Sequence, residues 1–384
     1  MGIVSPIGCG EAAFWDALVN GRSGAGPVTG FATADLSRTI ACQVRDTIDV
    51  EGEMGRASKL AVVAARQAVA SAGLQNGLVS SRVSITIGTT MGETEFIENR
   101  MDVAAGDWLS REHWERIAVG QPGCIARNVQ ASLGLSGPAS DLYGACAAGN
   151  MALSSARQSL LAGKCDVALA GGADGFSRLA FVGFMRLRVM SAGVCRPFDE
   201  QRDGLLVGEG AVVFVLERER DARARGAKIR ARLIGTGLAC ENYHPTRPHP
   251  EGDGLTRSTR AALREAGVRA DEISYICAHG TGTPQNDAIE VTVMRNCFPE
   301  GVPFSSIKAL TGHTMGAAAA VEAAACVLML EHGELIPTWH LEKVLQPCAQ
   351  EALRGSVRAA DVRYAVNNSA GFGGYNSSIV LAKA

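Results

Sequence analysis

The sequence lacks the charge excess and the low hydrophobic content that mark several large classes of protein. Charged residues make up only 20% of its 384 residues and the formal net charge is −2, so the basic excess on which general nucleic-acid binding relies is missing. Hydrophobic residues make up 47%, which excludes an intrinsically disordered chain and predicts a large buried core. The length is sufficient for two domains or for one duplicated unit.

The cysteine spacing likewise excludes a disulfide framework. The eleven cysteines are odd in number and include no C-x-x-C pair, and some, such as Cys277 and Cys326, lie within apolar runs. We expect most of them to be buried free thiols in a reducing compartment. No metal site is expected, because His244 and His249 lie in a proline-broken stretch that cannot fix two ligands.

The chain shows no targeting or membrane signal in its sequence. Its first residues contain neither a basic region nor an uninterrupted apolar region, which argues against a secretory signal. The longest apolar stretch, residues 316–330, contains Glu322 and is too short to span a bilayer. We therefore predict a cytoplasmic protein with no membrane partner.

Strand-like and helical patterns alternate along the whole chain, which predicts an α/β fold. A charged run at 217–226 separates two series of elements, and we place a domain boundary there, giving halves of residues 1–222 and 223–384. The predicted strands cover residues 83–88, 166–171, 208–216, 231–237, 273–277, 362–367 and 377–382. The predicted helices cover residues 58–72, 146–162, 256–266, 314–331 and a segment that begins near residue 287.

Cys146 lies in the small-residue sequence Gly-Ala-Cys-Ala-Ala-Gly at 144–149, at the predicted start of a helix. A thiol at a helix N-terminus is next to the positive end of the helix dipole, which favours the thiolate and predicts a lowered pKa. The adjoining backbone N–H groups can stabilise an oxyanion. The alternative is a buried structural cysteine, the interpretation that we adopt for most of the other ten.

Two histidines and a lysine occupy turns that follow predicted strands in the second half. His279 opens the sequence His-Gly-Thr-Gly-Thr-Pro, and Lys308 and His313 belong to Lys-Ala-Leu-Thr-Gly-His. Neutral imidazoles can donate hydrogen bonds to the enolate formed when a carboxylate leaves as CO2, although either histidine alone could be structural. Lys308 would be costly to bury alone, so Glu322 on the following helix is its predicted partner.

Two more groups of residues in these turns can serve a substrate. Thr281 and Thr283 offer hydroxyls to a polar linker arm, or alternatively only stabilise their own turn. Phe372 lies in Gly-Phe-Gly-Gly at 371–374, where a ring flanked by glycines can act as a gate and its N–H as a second oxyanion donor. The alternative for Phe372 is an anchored aromatic side chain in a hairpin turn.

Taken in order, these motifs resemble the β-ketoacyl-acyl-carrier-protein synthases of the elongating, Cys-His-His type. Arg-Pro-Phe-Asp at 196–199, Arg-Asp-Gly at 202–204 and Gly-Glu-Gly-Ala at 208–211 match as well. The resemblance covers essentially the whole chain. It implies a thiolase-like α/β fold, a five-layer αβαβα sandwich of two related halves, and a homodimer, with a heterodimer as the alternative.

The resemblance also implies a reaction, the decarboxylative Claisen condensation of an acyl thioester with malonyl-acyl-carrier protein in fatty acid or polyketide synthesis. Cys146 is implied to be the acylated nucleophile, its N–H and that of Phe372 to form the oxyanion hole, and the Phe372 ring to be the gate. His279 and His313 are implied to support decarboxylation. Lys308 and Glu322 are implied to be a supporting pair. Thr281 and Thr283 are implied to contact the phosphopantetheine arm.

No bound cofactor and no metal are implied, because the substrates arrive on the phosphopantetheine arm of acyl-carrier protein. Carrier proteins are acidic, so basic residues are expected near the mouth of the site. Arg56, Lys59 and Arg186 are the candidates that the sequence offers.

The chain departs from the family pattern at several positions that bear on primer size and carrier choice. Tyr375 stands where threonine is usual, Ala370 where phenylalanine is common and Ala319 where a glycine is usual, and Tyr143 adds bulk before the nucleophile. The family begins with an apolar strand, implied to be central in its sheet, whereas residues 1–6 start almost at the turn that follows it. We expect a late start relative to that strand.

Two other functions remain open at this point. A non-catalytic partner subunit of a heterodimeric, chain-length-determining kind usually lacks the cysteine, whereas this chain has the complete set. A thiolase acting on coenzyme A esters uses a second cysteine near the C-terminus, a region that Phe372 and its glycines occupy here.

Overall fold

Two sheets form the framework of the protein, seen here in a computed structural model that describes residues 1–75, 78, 82–101, 120–348 and 350–384. The first sheet has six strands in the order β2-β1-β8-β7-β5-β6. These are β1 (Gly2–Ser5), β2 (Gly8–Cys9), β5 (Val83–Thr89), β6 (Ala139–Tyr143), β7 (Val167–Asp174) and β8 (Gly210–Glu217). A separate two-stranded sheet pairs β3 (Ala25–Pro27) with β4 (Ile40–Cys42).

The second sheet has five strands in the order β11-β10-β14-β15-β9. They are β9 (Ala231–Cys240), β10 (Tyr275–Cys277), β11 (Phe304–Ser305), β14 (Tyr364–Gly371) and β15 (Tyr375–Lys383). A further pair joins β12 (Glu334–Leu335) to β13 (Arg358–Ala359).

The two large sheets share one topology. In the first, β5 pairs in parallel with both β6 and β7, and β8 pairs antiparallel with β7 and β1. In the second, β10 pairs in parallel with β11 and β14, and β15 pairs antiparallel with β14 and β9. The five-strand pattern therefore occurs twice, as the prediction of two related halves requires.

Helices cover both faces of each sheet. They are α1 (Glu11–Asn20), α2 (Arg56–Ser71), α3 (Thr94–Met101), α4 (Cys124–Ser132), α5 (Ala148–Leu161), α6 (Arg178–Arg186), α7 (Glu219–Ala224), α8 (Asp253–Ala266), α9 (Pro284–Cys297), α10 (Lys308–Thr311) and α11 (Ala318–His332). Helices α2 and α4 pack outside the first sheet, α8 and α9 outside the second, and α5 and α11 between the sheets. The predicted five-layer αβαβα sandwich is confirmed.

The middle layer forms the largest apolar core. Helix α11 is buried on nearly every side, as expected of a helix held between two sheets, and its first turns are almost all alanine. By length and composition the segment Met315–His332 could cross a membrane, but 89% of it is buried inside the protein. Core packing therefore accounts for its apolar composition.

The predicted elements listed above are all present, with ends that differ by a few residues. The largest extension is in β14, which runs on to Gly371 and so carries the chain to the Gly-Phe-Gly-Gly turn. The first residues, which the sequence analysis placed almost at a turn, form a strand. Gly2–Ser5 lies second in its sheet, between β8 and the two-residue strand β2.

Close backbone contact in the middle layer depends on glycine. A Cβ atom added at Gly149 of α5 would lie 2.6 Å from the backbone nitrogen of Ala320 in α11. One added at Gly88 would lie 2.3 Å from the Ala148 carbonyl carbon. The start of α5, which carries Cys146 just before it, is thus held against both a strand and the other central helix.

We expect Gly149→Ala to destabilise the protein by about 1–3 kcal/mol, because the new methyl group would push against backbone that cannot move aside. Gly183→Ala is the matched control, since Gly183 also lies within a helix but has nothing within 4 Å of an added Cβ. The control should be neutral or stabilising by up to ~1 kcal/mol. Thermal unfolding of the two variants checks this, and equal Tm values would contradict it.

Candidate active site

A cavity of about 710 Å³ brings together residues from both halves of the chain. Cys146 comes from the turn before α5, and the other predicted site residues that line the cavity come from turns of the second half. These are His279, Thr281, Thr283, His313 and Phe372. Lys308 and Glu322 do not line it but lie behind His279, where both are 1% exposed.

The Cys146 turn is a strained structure that presents the sulfur to the cavity. Ala145 has a left-handed φ of 47° and starts the short 3-10 turn Ala145–Ala147, which leads into α5. The backbone N–H groups of Phe372 and of Cys146 itself both interact with the thiol and favour its ionised form. A Cβ atom at Gly371 would lie 3.1 Å from the Cys146 nitrogen, a tight contact that glycine avoids.

The predicted lowering of the Cys146 pKa is wrong. Burial raises the pKa of the thiol to about 11, while the charge of Lys308 and the two N–H groups lower it only in part. Cys146 is buried, with 6% exposure, and the loss of hydration penalises a thiolate more than Lys308 and the two N–H groups stabilise it. The resting group is therefore a neutral thiol, and it needs a substrate or a base to take its proton.

The two histidine rings meet edge to face in the cavity, with centroids 5.4 Å apart. Burial, followed by the nearby positive charge of Lys308, holds the pKa of both rings well below the usual value, and for His279 the neighbouring His313 adds to the effect. Both imidazoles are therefore neutral at pH 7, as the sequence interpretation required.

Hydrogen bonds at Nδ1 fix which nitrogen of each ring carries the proton. The backbone N–H of Met315 donates to Nδ1 of His313 at 3.1 Å, which leaves the proton on Nε2. Nδ1 of His279 lies 3.3 Å from the Lys308 ammonium and 3.4 Å from the Ser369 hydroxyl. An ammonium can only donate, so this ring too has its proton on Nε2.

Lys308 has one acceptor for each of its three ammonium protons. They are Nδ1 of His279, the His279 carbonyl oxygen at 2.6 Å and a carboxylate oxygen of Glu322. Burial raises the pKa of Glu322 to about 7, and Lys308 opposes that rise. The ion pair thus fixes the His279 side chain from behind.

Two acidic residues that the sequence interpretation missed hold the His279 turn. Glu290 accepts hydrogen bonds from the N–H groups of His279 and Gly280 at 2.6 and 2.7 Å, and burial raises its pKa to about 7. Asp287 accepts from Thr281 and Gly282 at 3.1 and 3.2 Å. Their spacing on α9, three residues apart just after the turn, is a signal that could have found them.

Ser369 was missed as well, and no sequence motif marks it. Its hydroxyl donates to the carbonyl oxygen of Cys146 at 2.9 Å and lies near His279. It therefore connects the nucleophile turn of one half to the histidine turn of the other.

The hydroxyls of Thr281 and Thr283 are 2.9 Å apart and face the cavity as a pair. Thr281 is buried next to the His279 turn, and Thr283 is half-buried. Both the substrate-arm role and the turn-stabilising role are compatible with this placement, since Thr283 N–H also contacts the Thr281 hydroxyl at 3.3 Å.

Phe372 stacks on Phe184 of α6, with ring centroids 5.7 Å apart. The Phe184 ring also lies 6.5 Å from the His313 ring. The side chain predicted to be a gate therefore rests against a second aromatic side chain at the cavity wall. The sequence interpretation did not single out Phe184.

The basic candidates at the mouth need correction. Arg56 forms a two-pronged ion pair with the buried carboxylate of Glu209, at 2.8 and 2.9 Å, and is a structural residue. Lys59 and Arg186 are not among the residues that line the cavity. Arg188 and Arg247, both exposed, do line it.

This arrangement can hold an acyl group on sulfur with its carbonyl oxygen between two N–H groups, and can stabilise an enolate with two Nε2–H donors. Among the described residues, no group of three or more His, Cys, Asp and Glu side chains is placed to hold a metal ion.

The five-layer fold and the Cys-His-His site define a thiolase-like condensing enzyme. The chain belongs to the β-ketoacyl synthase family: residues 1–222 match the family's N-terminal domain and residues 230–342 its C-terminal domain.

Similar proteins match the chain over its full length. The chain is 32% identical to a 3-oxoacyl-[acyl-carrier-protein] synthase 2 from Synechocystis, a match that covers 100% of the chain and 96% of that protein. The ishigamide ketosynthase/chain length factor is 38% identical, with a TM-score of 0.94 over 100% of this chain and 97% of that one. A type II polyketide ketosynthase solved with its acyl-carrier protein and bound to a hexaketide is 27% identical, with a TM-score of 0.90 over 100% and 98%.

We expect the alkylation of Cys146 by iodoacetamide to accelerate about tenfold per pH unit from pH 7 to pH 9, because the thiolate fraction rises in that proportion below a pKa of about 11. Mass spectrometry of the Cys146 peptide over time gives the rate. A plateau with a midpoint below pH 8 would show that the thiol is not held neutral by burial.

Proposed function

We propose that the protein catalyses the decarboxylative Claisen condensation of an acyl group held on Cys146 with malonyl-acyl-carrier protein. The observation that carries the proposal is one cavity in which a thiol with two adjacent N–H groups lies with two neutral imidazoles. The complete set of groups argues against a non-catalytic partner subunit.

In the first half-reaction the Cys146 sulfur attacks the thioester of an acyl-carrier protein. The carrier thiol leaves, and the acyl group remains on Cys146 with its carbonyl oxygen between the N–H groups of Cys146 and Phe372. Those donors stabilise the negative charge that develops on that oxygen. The thiol proton passes to the departing thiolate, so the site returns to overall neutrality.

In the second half-reaction malonyl-carrier protein binds, its carboxylate leaves as CO2, and the electron pair forms an enolate at the thioester. The Nε2–H groups of His279 and His313 donate to the enolate oxygen. The enolate carbon then attacks the acyl carbonyl carbon, and the Cys146 sulfur leaves as a thiolate, which takes a proton from solvent. Lys308 and Glu322 orient His279 and transfer no proton.

The substrate enters on its carrier arm past Thr283 and Thr281, and the gate of Phe372 must move from Phe184 to admit it. Arg188 and Arg247 at the mouth would bind the phosphate of the arm and the acidic carrier protein, since opposite charges there would favour productive docking. Catalysis would need no bound cofactor. We also propose that the two halves of the chain are residues 1–222 and 223–384 and that the protein is cytoplasmic.

The protein is proposed to act in fatty acid or polyketide synthesis as a dimer. A homodimer is the simplest assembly, and the likeness to a ketosynthase/chain length factor favours a heterodimer as the second candidate. Activity that appears only with a paralogous chain would select the heterodimer.

Incubation with an acyl-carrier protein bearing a primer and with labelled malonyl-carrier protein should yield a product two carbons longer. Cys146→Ala should abolish this product, because no acyl-enzyme can form. Intact-mass spectrometry should show the acyl adduct on the unaltered protein and none on the variant. Elongation by Cys146→Ala would end the proposal.

The double variant Arg188→Glu/Arg247→Glu should raise KM for the carrier-bound substrates by about tenfold or more at low salt, with kcat little changed, because it affects docking and not the chemistry. The difference should shrink in 0.5 M salt, where surface charges are screened. Arg295→Glu, an exposed arginine at the far end of α9, is the control. Equal KM values for all three proteins would contradict this docking surface.

A further inference from the structure

Asp174, the last residue of β7, is a buried carboxylate to which no role has been given so far. It accepts four hydrogen bonds. One oxygen receives the Thr89 hydroxyl at 2.6 Å and the Met91 N–H at 2.8 Å, and the other receives the N–H groups of Thr90 at 2.8 Å and Gly316 at 2.6 Å. Burial raises its pKa to about 6, so the group is ionised at neutral pH.

The Gly316 bond matters because of what lies next to it. Met315 has a left-handed φ of 54°, which is strained for a residue with a side chain, and its N–H is the donor that fixes Nδ1 of His313. A strained turn keeps its shape only where neighbouring contacts hold it. Asp174 supplies such a contact one residue away, from the opposite half of the molecule.

Because the fold is duplicated, Asp174 can be compared with the equivalent position in the second half. Strands β7 and β14 have the same neighbours in their respective sheets, both are eight residues long, and they end at Asp174 and Gly371. Each end lies against the turn that precedes a central helix. Asp174 bonds to Gly316 before α11, and Gly371 lies beside the nitrogen of Cys146 before α5.

The two equivalent turns thus differ in what their N–H groups bind. Both begin with a left-handed residue, Ala145 at φ 47° and Met315 at φ 54°, and both direct N–H groups towards the end of a strand. At the Cys146 turn the strand ends in glycine, and the N–H stays available for a substrate oxygen. At the Met315 turn a carboxylate of the protein itself occupies the corresponding N–H.

We propose that Asp174 is a positioning residue of the condensation reaction: by holding the Met315–Gly316 turn, it keeps His313 as the Nε2–H tautomer that donates to the enolate. This inference rests on the function proposed above and adds a residue to it. Asp174 does not line the cavity. It reaches His313 through the turn, and its charge raises the pKa of the Cys146 thiol, so its removal should not hinder formation of the thiolate. Its loss should therefore impair the decarboxylation half-reaction and spare the acylation of Cys146.

The test measures the two half-reactions separately in Asp174→Ala and in the nearly isosteric Asp174→Asn. Acylation is followed as the adduct on Cys146, and decarboxylation as labelled CO2 released from malonyl-carrier protein. In Asp174→Ala the decarboxylation rate should fall at least about tenfold relative to acylation, and in Asp174→Asn, which keeps one acceptor oxygen, it should fall less.

Asp199→Ala is the matched control. Asp199 is 1% exposed and also accepts backbone N–H groups, from Gln201, Glu342 and Lys343, but none of them touches the cavity. It should lose stability and leave the ratio of the two rates unchanged. Nitrogen-15 NMR of labelled histidine gives an independent signal, since His313 should populate the Nδ1–H form in Asp174→Ala and not in the control.

A ratio of decarboxylation to acylation in Asp174→Ala within about threefold of that of the unaltered protein overturns the inference; if only Asp174→Asn folds, an unchanged ratio in that variant overturns it. Asp174→Asn keeps the test available if the alanine variant does not fold. Failure of the unaltered protein to acylate Cys146 is a different result, because it would refute the proposed function itself.

Discussion

The close packing of two turn–helix units between the sheets is the constraint on which the rest of the structure depends. Helices α5 and α11 contact each other at Gly149 and Ala320, so closely that a methyl group would not fit on Gly149. This contact brings the start of one helix, with Cys146, to the start of the other, with His313 just before it. Groups that are far apart in the chain can share a cavity only because alanine and glycine let the backbones approach this closely.

The thiol and the two imidazoles of the resulting site are uncharged, and few charged groups lie next to them. Lys308 contacts His279 directly, and its three protons are directed to Glu322 and to two atoms of His279. Burial, followed by the charge of Lys308, keeps both imidazoles neutral, and burial, together with the charge of Asp174, keeps Cys146 protonated. Neutral donors are suited to a reaction in which negative charge appears on an oxygen only in passing, since they stabilise that charge without binding the ground state tightly.

Duplication explains how one fold can supply two different half-sites. Each half contains the same five-strand pattern and the same left-handed turn before a central helix, yet the residues at equivalent positions differ. Asp174 closes one turn with a carboxylate, and Gly371 leaves the other open. The duplicated frame therefore carries an asymmetric site, because a few side chains at equivalent positions differ.

The sequence by itself determined the α/β layering, since the alternation of apolar strands and helices is written in local periodicity, and it identified Cys146, His279, Lys308 and His313 through compact turn motifs. It also indicated the Lys308–Glu322 pair, because a buried cation needs a partner. It did not reveal Ser369, Asp174 or Phe184, whose contacts join residues of opposite halves that no local pattern connects. It gave the wrong direction for the Cys146 pKa and placed Arg56 at the mouth, because both depend on burial and on partners such as Glu209. Only the tertiary structure decided these points, since desolvation and long-range hydrogen bonds exist only once distant segments are packed together.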